Sequence, residues 1–331
     1  MNANRMFLRG IVFPLLIIAL SGGCNNRTKE DLVKVLILSG KNNHEWQKTT
    51  PLLERIFKES GLFSAAVTER PDTLTYNELV KYDVLLSNWN SWPDNDLRMT
   101  GEWENDFLNY VKGGGGVVFI HAGASSFYGW NEYYQMGIGR WGKDTHHGKL
   151  TRGKVYGFKQ DNPITNGFRD FFIADEIWED TDIYPGAQTL AAVTATDEDD
   201  RHTITEPALF VNQIGKGHTF YTILGHNERT LLNSGLQTLI LRAAQWCAGR
   251  EVTAELPFEL KAPEIQIIDQ YTWVESDTSI AFRNHSDIIW QFNFNNRFGK
   301  PYFNPLNINR SNLSCVAPSD HVPPSGVTHR V

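Results

Sequence analysis

The sequence predicts an α/β protein with a doubly wound, mostly parallel sheet, followed by a short, incomplete β segment. Continuously apolar runs, such as residues 33–40 and 116–120, are typical of strands that are buried on both faces. Amphipathic stretches such as residues 49–61 lie between the runs. Strands that alternate with helices at this spacing indicate a parallel sheet covered by helices.

The alternation breaks after residue 123; further strands and one closing helix then follow as far as residue 249. Residues 49–61 place Leu52, Ile56 and Phe57 on one helical face, and Gly61 predicts the end of that helix. By the same patterns we predict further helices at 99–116 and 234–249, and strands at 63–69, 82–88, 154–160, 188–196, 207–213 and 218–226.

Composition and charge narrow the class of protein. The chain has 331 residues, of which 41% are hydrophobic and 21% charged, and its formal net charge is −7. These values are ordinary for a globular protein. No segment is rich in lysine and arginine, so we expect no nucleic-acid partner. The three cysteines have no zinc-motif spacing and are too few for a disulfide framework. The oligomeric state is left open.

Residues 1–24 are predicted to form a lipoprotein-type signal peptide. Arg5 and Arg9 precede an apolar stretch, residues 11–20, that is too short for an ordinary membrane span. Small residues then lead to Cys24, an arrangement that resembles a bacterial lipoprotein signal with Cys24 as the lipidated residue. We therefore expect a periplasmic or cell-surface protein, anchored by lipid to a bacterial membrane. A plain secretory signal is the alternative.

Three apolar runs each lead to a histidine near the end of the strand: His44, His121 and His226. Because ligands bind outside the carboxyl ends of parallel strands, we predict that these imidazoles meet in one pocket. Imidazole titrates near neutral pH and is the commonest metal ligand. The three are therefore predicted as catalytic acid/base groups or as ligands of a divalent metal such as zinc. The alternatives are helix capping by His44 and His226, and backbone hydrogen bonding by a buried His121.

A carboxylate partner is predicted at Glu176, within the acidic stretch 175–182. On an extended chain Glu176 and Trp178 share one side, and a sheltering indole would raise the pKa of the carboxyl towards use as a general acid. Of the adjacent His146 and His147, at most one enters a common pocket. We expect His147 to do so; the alternative is that both are solvated.

Aromatic residues are concentrated where strand and helix periodicity is lost, in residues 124–150. A long aperiodic segment in a compact domain is usually functional. Flat rings with nearby amide groups suit a sugar ring, which has an apolar face and a hydroxyl rim. Together with His147, the predicted substrate-binding residues are Trp46, Trp89, Tyr128 and Trp130. The alternative is that these loops pack upon themselves.

Several stretches resemble the ThuA-like (trehalose utilisation) family over residues 33–250. The resemblance rests on VLILSGKNNHEW, GGGVVFIHAG, DNPITNGF, DEIW and NQIGKGHTFYTILGH. It implies a class I glutamine amidotransferase-like (flavodoxin-like) fold without the amidotransferase cysteine. It also implies an association with disaccharide or oxidised-sugar catabolism, and it supports His44, His121, Glu176 and His226 as site residues.

The last part of the chain differs in pattern. Residues 251–264 are predicted to be a proline-bearing linker, and residues 265–331 a β-rich segment. Within that segment WQFNFN, GKPYFNPLN and PSDH resemble the start of the PmoA-like family. That family continues with further histidines and tryptophans, so we interpret the segment as truncated.

These observations predict an exported carbohydrate-active enzyme. Its substrate would be a disaccharide or keto-sugar, and its chemistry would be His/Glu acid-base or metal-assisted. Isomerisation, elimination and hydrolysis are equally open. The alternative is a non-catalytic glycan-binding lipoprotein. Glutamine amidotransferase activity is not expected, because no cysteine stands at the strand end that carries His121.

Overall fold

The computed structural model describes residues 32–196, 202–261, 271–284, 287–294, 301–308 and 311–312. The predicted signal peptide, with Cys24, lies outside these residues. The chain divides into two compact units, Met1–Ala262 and Pro263–Val331. Within the part of the chain that is described, no helix is both long enough and apolar enough to cross a membrane.

The first unit alternates strands and helices up to residue 120 and then consists mainly of strands. Its helices are α1 Trp46–Glu59, α2 Tyr76–Leu79, α3 Gly101–Gly113, α4 Asn131–Gly137, α5 Glu228–Leu231 and α6 Ser234–Cys247. Its strands are β1 Val33–Leu38, β2 Phe63–Thr68, β3 Val84–Ser87, β4 Gly116–Ile120, β5 Gly139–Arg140, β6 His146–His147, β7 Thr151–Tyr156, β8 Phe171–Asp175, β9 Trp178–Glu179, β10 Asp182–Ile183, β11 Gln188–Thr196, β12 Thr203–Ile214 and β13 Gly217–Thr222.

Nine of these strands form one sheet in the order β2-β1-β3-β4-β13-β12-β11-β7-β8. The first five in this order are parallel neighbours. The remaining pairs are antiparallel and extend the sheet on one side. The predicted α/β class is therefore confirmed.

Strand direction determines which residues can meet at one edge of the sheet. β1, β4 and β13 run the same way, so their carboxyl ends lie at the same edge. From β13 the direction reverses at β12, β11, β7 and β8 in turn. Four reversals restore the original direction, so β8 also ends at that edge.

Hydrophobic burial explains why the predicted helices form. In α1, Leu52, Leu53, Ile56 and Phe57 are all buried, as their spacing along one helical face requires. At the start of α3, the Thr100 side chain accepts a hydrogen bond from a backbone N–H of the first turn. For a helix as short as α1 or α3, burial of the hydrophobic face against the sheet supplies most of the stability.

The second unit, described by itself, is an antiparallel sheet of five strands. Trp273, Phe282 and Trp290 lie on neighbouring strands and their rings contact one another. The PmoA-like resemblance of this segment stays a prediction. The strands of the second unit are β14 Tyr271–Ser276, β15 Ser279–Asn284, β16 Asp287–Asn293, β17 Tyr302–Ile308 and β18 Ser311–Asn312, and they lie in this order in the sheet.

Most of the segment predicted as a linker, residues 251–264, belongs to the first unit, which extends to Ala262. Ala254, Leu256 and Leu260 are buried, and Lys261 forms a β-bridge with Phe168. These residues pack on the α/β core.

Candidate active site

Four side chains from four strand ends meet at the carboxyl edge of the sheet. His44 follows β1, His121 follows β4, Glu176 follows β8 and His226 follows β13. The ring centroid of His44 lies 4.9 Å from that of His121 and 4.6 Å from that of His226. One donor atom from each of the four residues lies within 4.8 Å of the other three. The structure thus brings together the histidines and the carboxylate that the sequence singled out.

His121 occupies the sharp turn after β4 and is buried, with 2% of its surface exposed. Its backbone is left-handed (φ 48°), which is uncommon outside glycine and typical of a tightly constrained site. Nδ1 lies 2.5 Å from the carbonyl of Ile223. Because a carbonyl can only accept, Nδ1 carries the proton and donates it. Nε2 then points into the cluster, 3.6 Å from Oε1 of Glu176.

The position of His226 is set by Gly225. Gly225 has a φ of 115°, and a Cβ at this position would lie 2.4 Å from the Ile120 side chain. Glycine alone permits this turn and this close approach. The turn places Nδ1 of His226 3.4 Å from Oε2 of Glu176. Interaction with that carboxylate raises the pKa of His226 above its ordinary value, although burial opposes the shift.

The loop that carries His44 is held by a network of asparagine side chains. Asn90 donates to Asn42 Oδ1 at 3.0 Å and to Asn43 Oδ1 at 2.6 Å. Asn42 Oδ1 also accepts from the backbone N–H of His44. Burial lowers the pKa of His44 to about 3, and the neighbouring imidazoles of His121 and His226 add to the effect. His44 is therefore neutral at ordinary pH, which is the form that binds a metal.

Glu176 lies at the centre of the cluster, with 12% of its side chain exposed. The Trp178 indole N–H donates to its Oε1 at 3.0 Å. Burial alone would raise the pKa of Glu176, but interactions with His121 and His226 outweigh burial and lower it. The prediction of a raised pKa is therefore wrong. The indole does shelter the carboxyl, but the surrounding imidazoles stabilise its charged form, which suits a ligand and not a general acid.

His147 approaches the same carboxylate from the pocket side. Its Nδ1 lies 3.4 Å from Glu176 Oε2, and 39% of its side chain is exposed. The neighbouring His146 faces the other way, with Nε2 3.8 Å from Oε2 of Glu179. β6 pairs with β9, so alternation along this short ribbon places one histidine on each side.

A pocket of about 230 Å³ opens beside the cluster. Trp92, Trp141 and Trp178 supply its aromatic surface. Asn43 and Ser125 add polar groups close to those rings. The lining residues are Asn43, His44, Trp92, Ala122, Ser125, Trp141, His147, Glu176 and Trp178.

Comparison with known proteins identifies the family to which the chain belongs. The family model described as ThuA, trehalose utilisation, matches residues 34–247. The chain belongs to the ThuA family. Searching the curated proteins gave no match.

Among solved structures, a ThuA-like protein from Parabacteroides merdae ATCC 43184 is 25% identical, with a TM-score of 0.58. The match covers 70% of this chain and 95% of that one. A ThuA-like protein from Bacteroides uniformis ATCC 8492 is 18% identical, with a TM-score of 0.50 and coverage of 68% and 95%. A glutamine amidotransferase from Thermotoga maritima is 14% identical, with a TM-score of 0.40 and coverage of 64% and 98%.

Two of the tryptophans predicted to bind substrate are part of the core of this ThuA-family protein. Trp89 and Trp130 are only 8% and 5% exposed. Trp89 stacks on Phe127, and Trp130 packs against Trp103 and Tyr133. The prediction that Trp89 and Trp130 form an open sugar platform is therefore wrong. The loops that carry them fold back over α3 and bury both rings.

The other two predicted aromatic residues do not line the pocket. Trp46 is half-buried at the start of α1. The Tyr128 hydroxyl donates to the carbonyl of Trp141 at 2.6 Å, so Tyr128 supports a residue of the pocket wall. Asn43 and Ser125 were not predicted as pocket residues from the sequence, because single asparagines and serines in loops have no distinguishing pattern.

A thiol nucleophile is not found at this site among the described residues. The free cysteine that they contain is Cys247, which is buried in α6 with its Sγ 3.6 Å from the carbonyl of Val117. Burial raises the pKa of this thiol well above its ordinary value. His121 occupies the turn after β4 at which an amidotransferase cysteine would be expected, so the cluster is suited to chemistry without a thiolate.

The cluster of the ThuA-family chain fits a divalent metal. With Nδ1 of His121 donating to Ile223, the neutral imidazole presents a lone pair at Nε2. Within the described part of the chain, neither this Nε2 nor His226 Nδ1 has a hydrogen-bond partner, although both are buried. Nε2 of His121 faces a carboxylate oxygen of Glu176, and two acceptors repel unless a proton or a cation lies between them. Three imidazoles and one carboxylate are a donor set that zinc accepts.

Proposed function

We propose that this ThuA-family protein is an enzyme that transforms a carbohydrate, with a divalent metal held by His44, His121, Glu176 and His226. The observation that carries the proposal is the meeting of these four side chains, from four separate strand ends, within 4.8 Å. Nothing in the packing of the sheet requires three imidazoles to share one carboxylate. A functional centre accounts for it.

Two of the contacts within the cluster have a spacing close to that of ligand atoms around a metal. At Zn–N distances of 2.0–2.1 Å, tetrahedral ligand atoms lie about 3.3–3.4 Å apart. The contacts of Glu176 with His121 and His226 are 3.6 and 3.4 Å. The donor atoms of all four residues lie within 4.8 Å of one another, so the more distant side chains would have to move closer together around an ion.

The roles of the residues follow from their positions. A bound metal would have to expand its coordination to five, beyond the four protein ligands, in order to polarise a carbonyl or hydroxyl oxygen of the substrate as a Lewis acid. His147 stands between the cluster and the pocket and is more exposed than the four ligands, so it can exchange a proton with a substrate there. Trp178 fixes the orientation of Glu176 through its indole N–H. Isomerisation, elimination and hydrolysis next to a carbonyl all need these functions.

The shape and lining of the pocket support a sugar as the substrate. Trp92 and Trp141 offer apolar faces, while Asn43 and Ser125 offer hydrogen-bonding groups. This combination suits a ring with one apolar face and a hydroxyl rim. The description of the matched family, trehalose utilisation, agrees with a disaccharide or a keto-disaccharide.

Elemental analysis and a product screen test the proposal together. We expect roughly one divalent ion per purified chain, as for a site with four protein ligands. We also expect new products from disaccharides or their keto derivatives, and Trp92→Ala should weaken sugar binding while leaving the metal in place. A chain that binds sugar but releases no product, with or without metal, would instead be a glycan-binding protein. A chain that takes up no metal from zinc, manganese or cobalt solutions contradicts the metal centre.

We also propose that the protein is exported and anchored by lipid at Cys24. The support is the sequence alone: Arg5, Arg9, the apolar residues 11–20 and the small residues before the cysteine. In a bacterial host, the wild type should sediment with membranes and incorporate labelled palmitate. Cys24→Ser should remove the label and move the protein out of the membrane pellet. Equal membrane association of both proteins contradicts the anchor.

A further inference from the structure

Asp175, the residue before Glu176, is a carboxylate without solvent exposure. It ends β8 and accepts hydrogen bonds from three backbone N–H groups. Oδ2 accepts from Gly225 at 2.7 Å, and Oδ1 accepts from Glu176 at 2.9 Å and from His226 at 3.2 Å. The hydroxyl of Thr230, in α5, lies 3.2 Å from Oδ1.

These contacts connect two chain segments that are far apart in sequence. Glu176 follows β8, whereas Gly225 and His226 follow β13, and both segments carry a residue of the proposed centre. One carboxylate thus bonds the backbone of both Glu176 and His226. The Gly225 turn that aims His226 is fixed through the same group.

We propose that Asp175 is a positioning residue, which holds Glu176 and His226 at the separation that a divalent cation needs. This inference rests on the proposed metal centre and extends it to a residue that touches neither metal nor substrate. Residues behind metal ligands typically change metal affinity by 10- to 100-fold when they are replaced. Asp175 acts on two ligands at once, through their main chains.

Asp175→Asn tests the inference in the full chain, with Zn²⁺ as the probe and a chromophoric chelator as competitor. The amide keeps the volume of the side chain but turns an NH₂ group towards at least one of the backbone N–H donors. We expect Zn²⁺ to bind 10- to 100-fold more weakly. Asp175→Ser, which removes the carboxylate without adding an opposed donor, should weaken binding in the same way.

Asn233→Ala is the matched structural control. Asn233 caps α6 and donates to the carbonyl of Phe172 in β8, yet it contacts none of the four proposed ligands. This variant should lower the thermal midpoint and keep the wild-type affinity for Zn²⁺. A merely structural role for Asp175 would make its variants behave like Asn233→Ala.

The outcomes separate the two proposals. Wild-type Zn²⁺ affinity in a folded Asp175→Asn or Asp175→Ser protein overturns the positioning role while leaving the metal centre in place. An equal loss of affinity in Asn233→Ala overturns it as well, because general loosening then explains the effect. A wild-type chain that binds no Zn²⁺ overturns the metal centre, and the positioning role with it.

Discussion

Glu176→Gln is expected to abolish the metal-dependent rise in thermal stability. An ion that binds only the folded chain stabilises it by about 4.1 kcal/mol at about 1,000 times its dissociation constant. For a domain of this size, each kcal/mol shifts the thermal midpoint by roughly 2–4 °C. Zinc should therefore raise the midpoint of the wild type by roughly 8–16 °C. The substitution preserves shape but removes the negative charge that the three imidazoles surround, so the rise should disappear.

Thermal unfolding of chelator-treated protein, with and without added Zn²⁺, measures this effect. Glu179→Gln is the matched control, because Glu179 lies on the other side of the same ribbon, 3.8 Å from His146. It should keep the full rise. If Glu176→Gln keeps it too, the carboxylate is not a ligand, and the cluster does not hold the ion as we propose.

His121→Asn is expected to reduce turnover by more than about 100-fold, because it removes a ligand of the proposed metal, and replacing even the residues behind metal ligands typically costs 10- to 100-fold. The substitution removes the imidazole whose Nε2 faces Glu176 from 3.6 Å. Asparagine is the suitable replacement, because it tolerates the left-handed backbone at this turn better than alanine does. Loss of activity can therefore be separated from loss of fold.

Steady-state rates on whichever sugar the wild type converts, together with circular dichroism, check this result. His218→Asn makes the same chemical change on β13, where the ring of His218 packs against Trp246 at 4.5 Å, and should keep full activity. If His121→Asn is as active as the wild type, the turn after β4 has no part in catalysis. If it unfolds, His121 is a structural residue hydrogen-bonded to Ile223.

The sequence predicts the parallel half of the sheet well, for physical reasons. β1 and β4 are fully apolar runs, and α1 carries one clear hydrophobic face, so each segment has a single low-energy state. The helix α4 lies within an aperiodic segment and was not predictable in this way. Its buried residues Tyr133, Met136 and Gly137 have helical spacing, but the helix is only seven residues long, too short for a hydrophobic period to be recognised in the sequence.

Burial of individual aromatic rings is the main property that the sequence does not reveal. Trp89 and Trp92 are separated by two residues in one loop, yet one is 8% exposed and the other 43%. Residue type is the same in both cases, and only the path of the loop over α3 decides which ring is covered. The histidines were predictable because each follows the end of a strand in the parallel part of the sheet, where ligands usually bind.

The burial of Asp175 could have been predicted from strand periodicity. In β8, Phe171, Ile173 and Asp175 are buried while the residues between them are exposed. The period of two therefore places Asp175 on the core face. An acid at such a position needs donors, and the structure supplies three from the backbone.

The order in which the four proposed ligands occur along the chain has a consequence for biogenesis. They are spread from His44 to His226, and they meet only after β1, β4, β8 and β13 have all joined the sheet. A nascent or unfolded polypeptide therefore has no preassembled coordination sphere with which to capture an ion. If the chain crosses the membrane before it folds, it would acquire the proposed metal in the compartment it enters, and the metals available there would decide which one it carries.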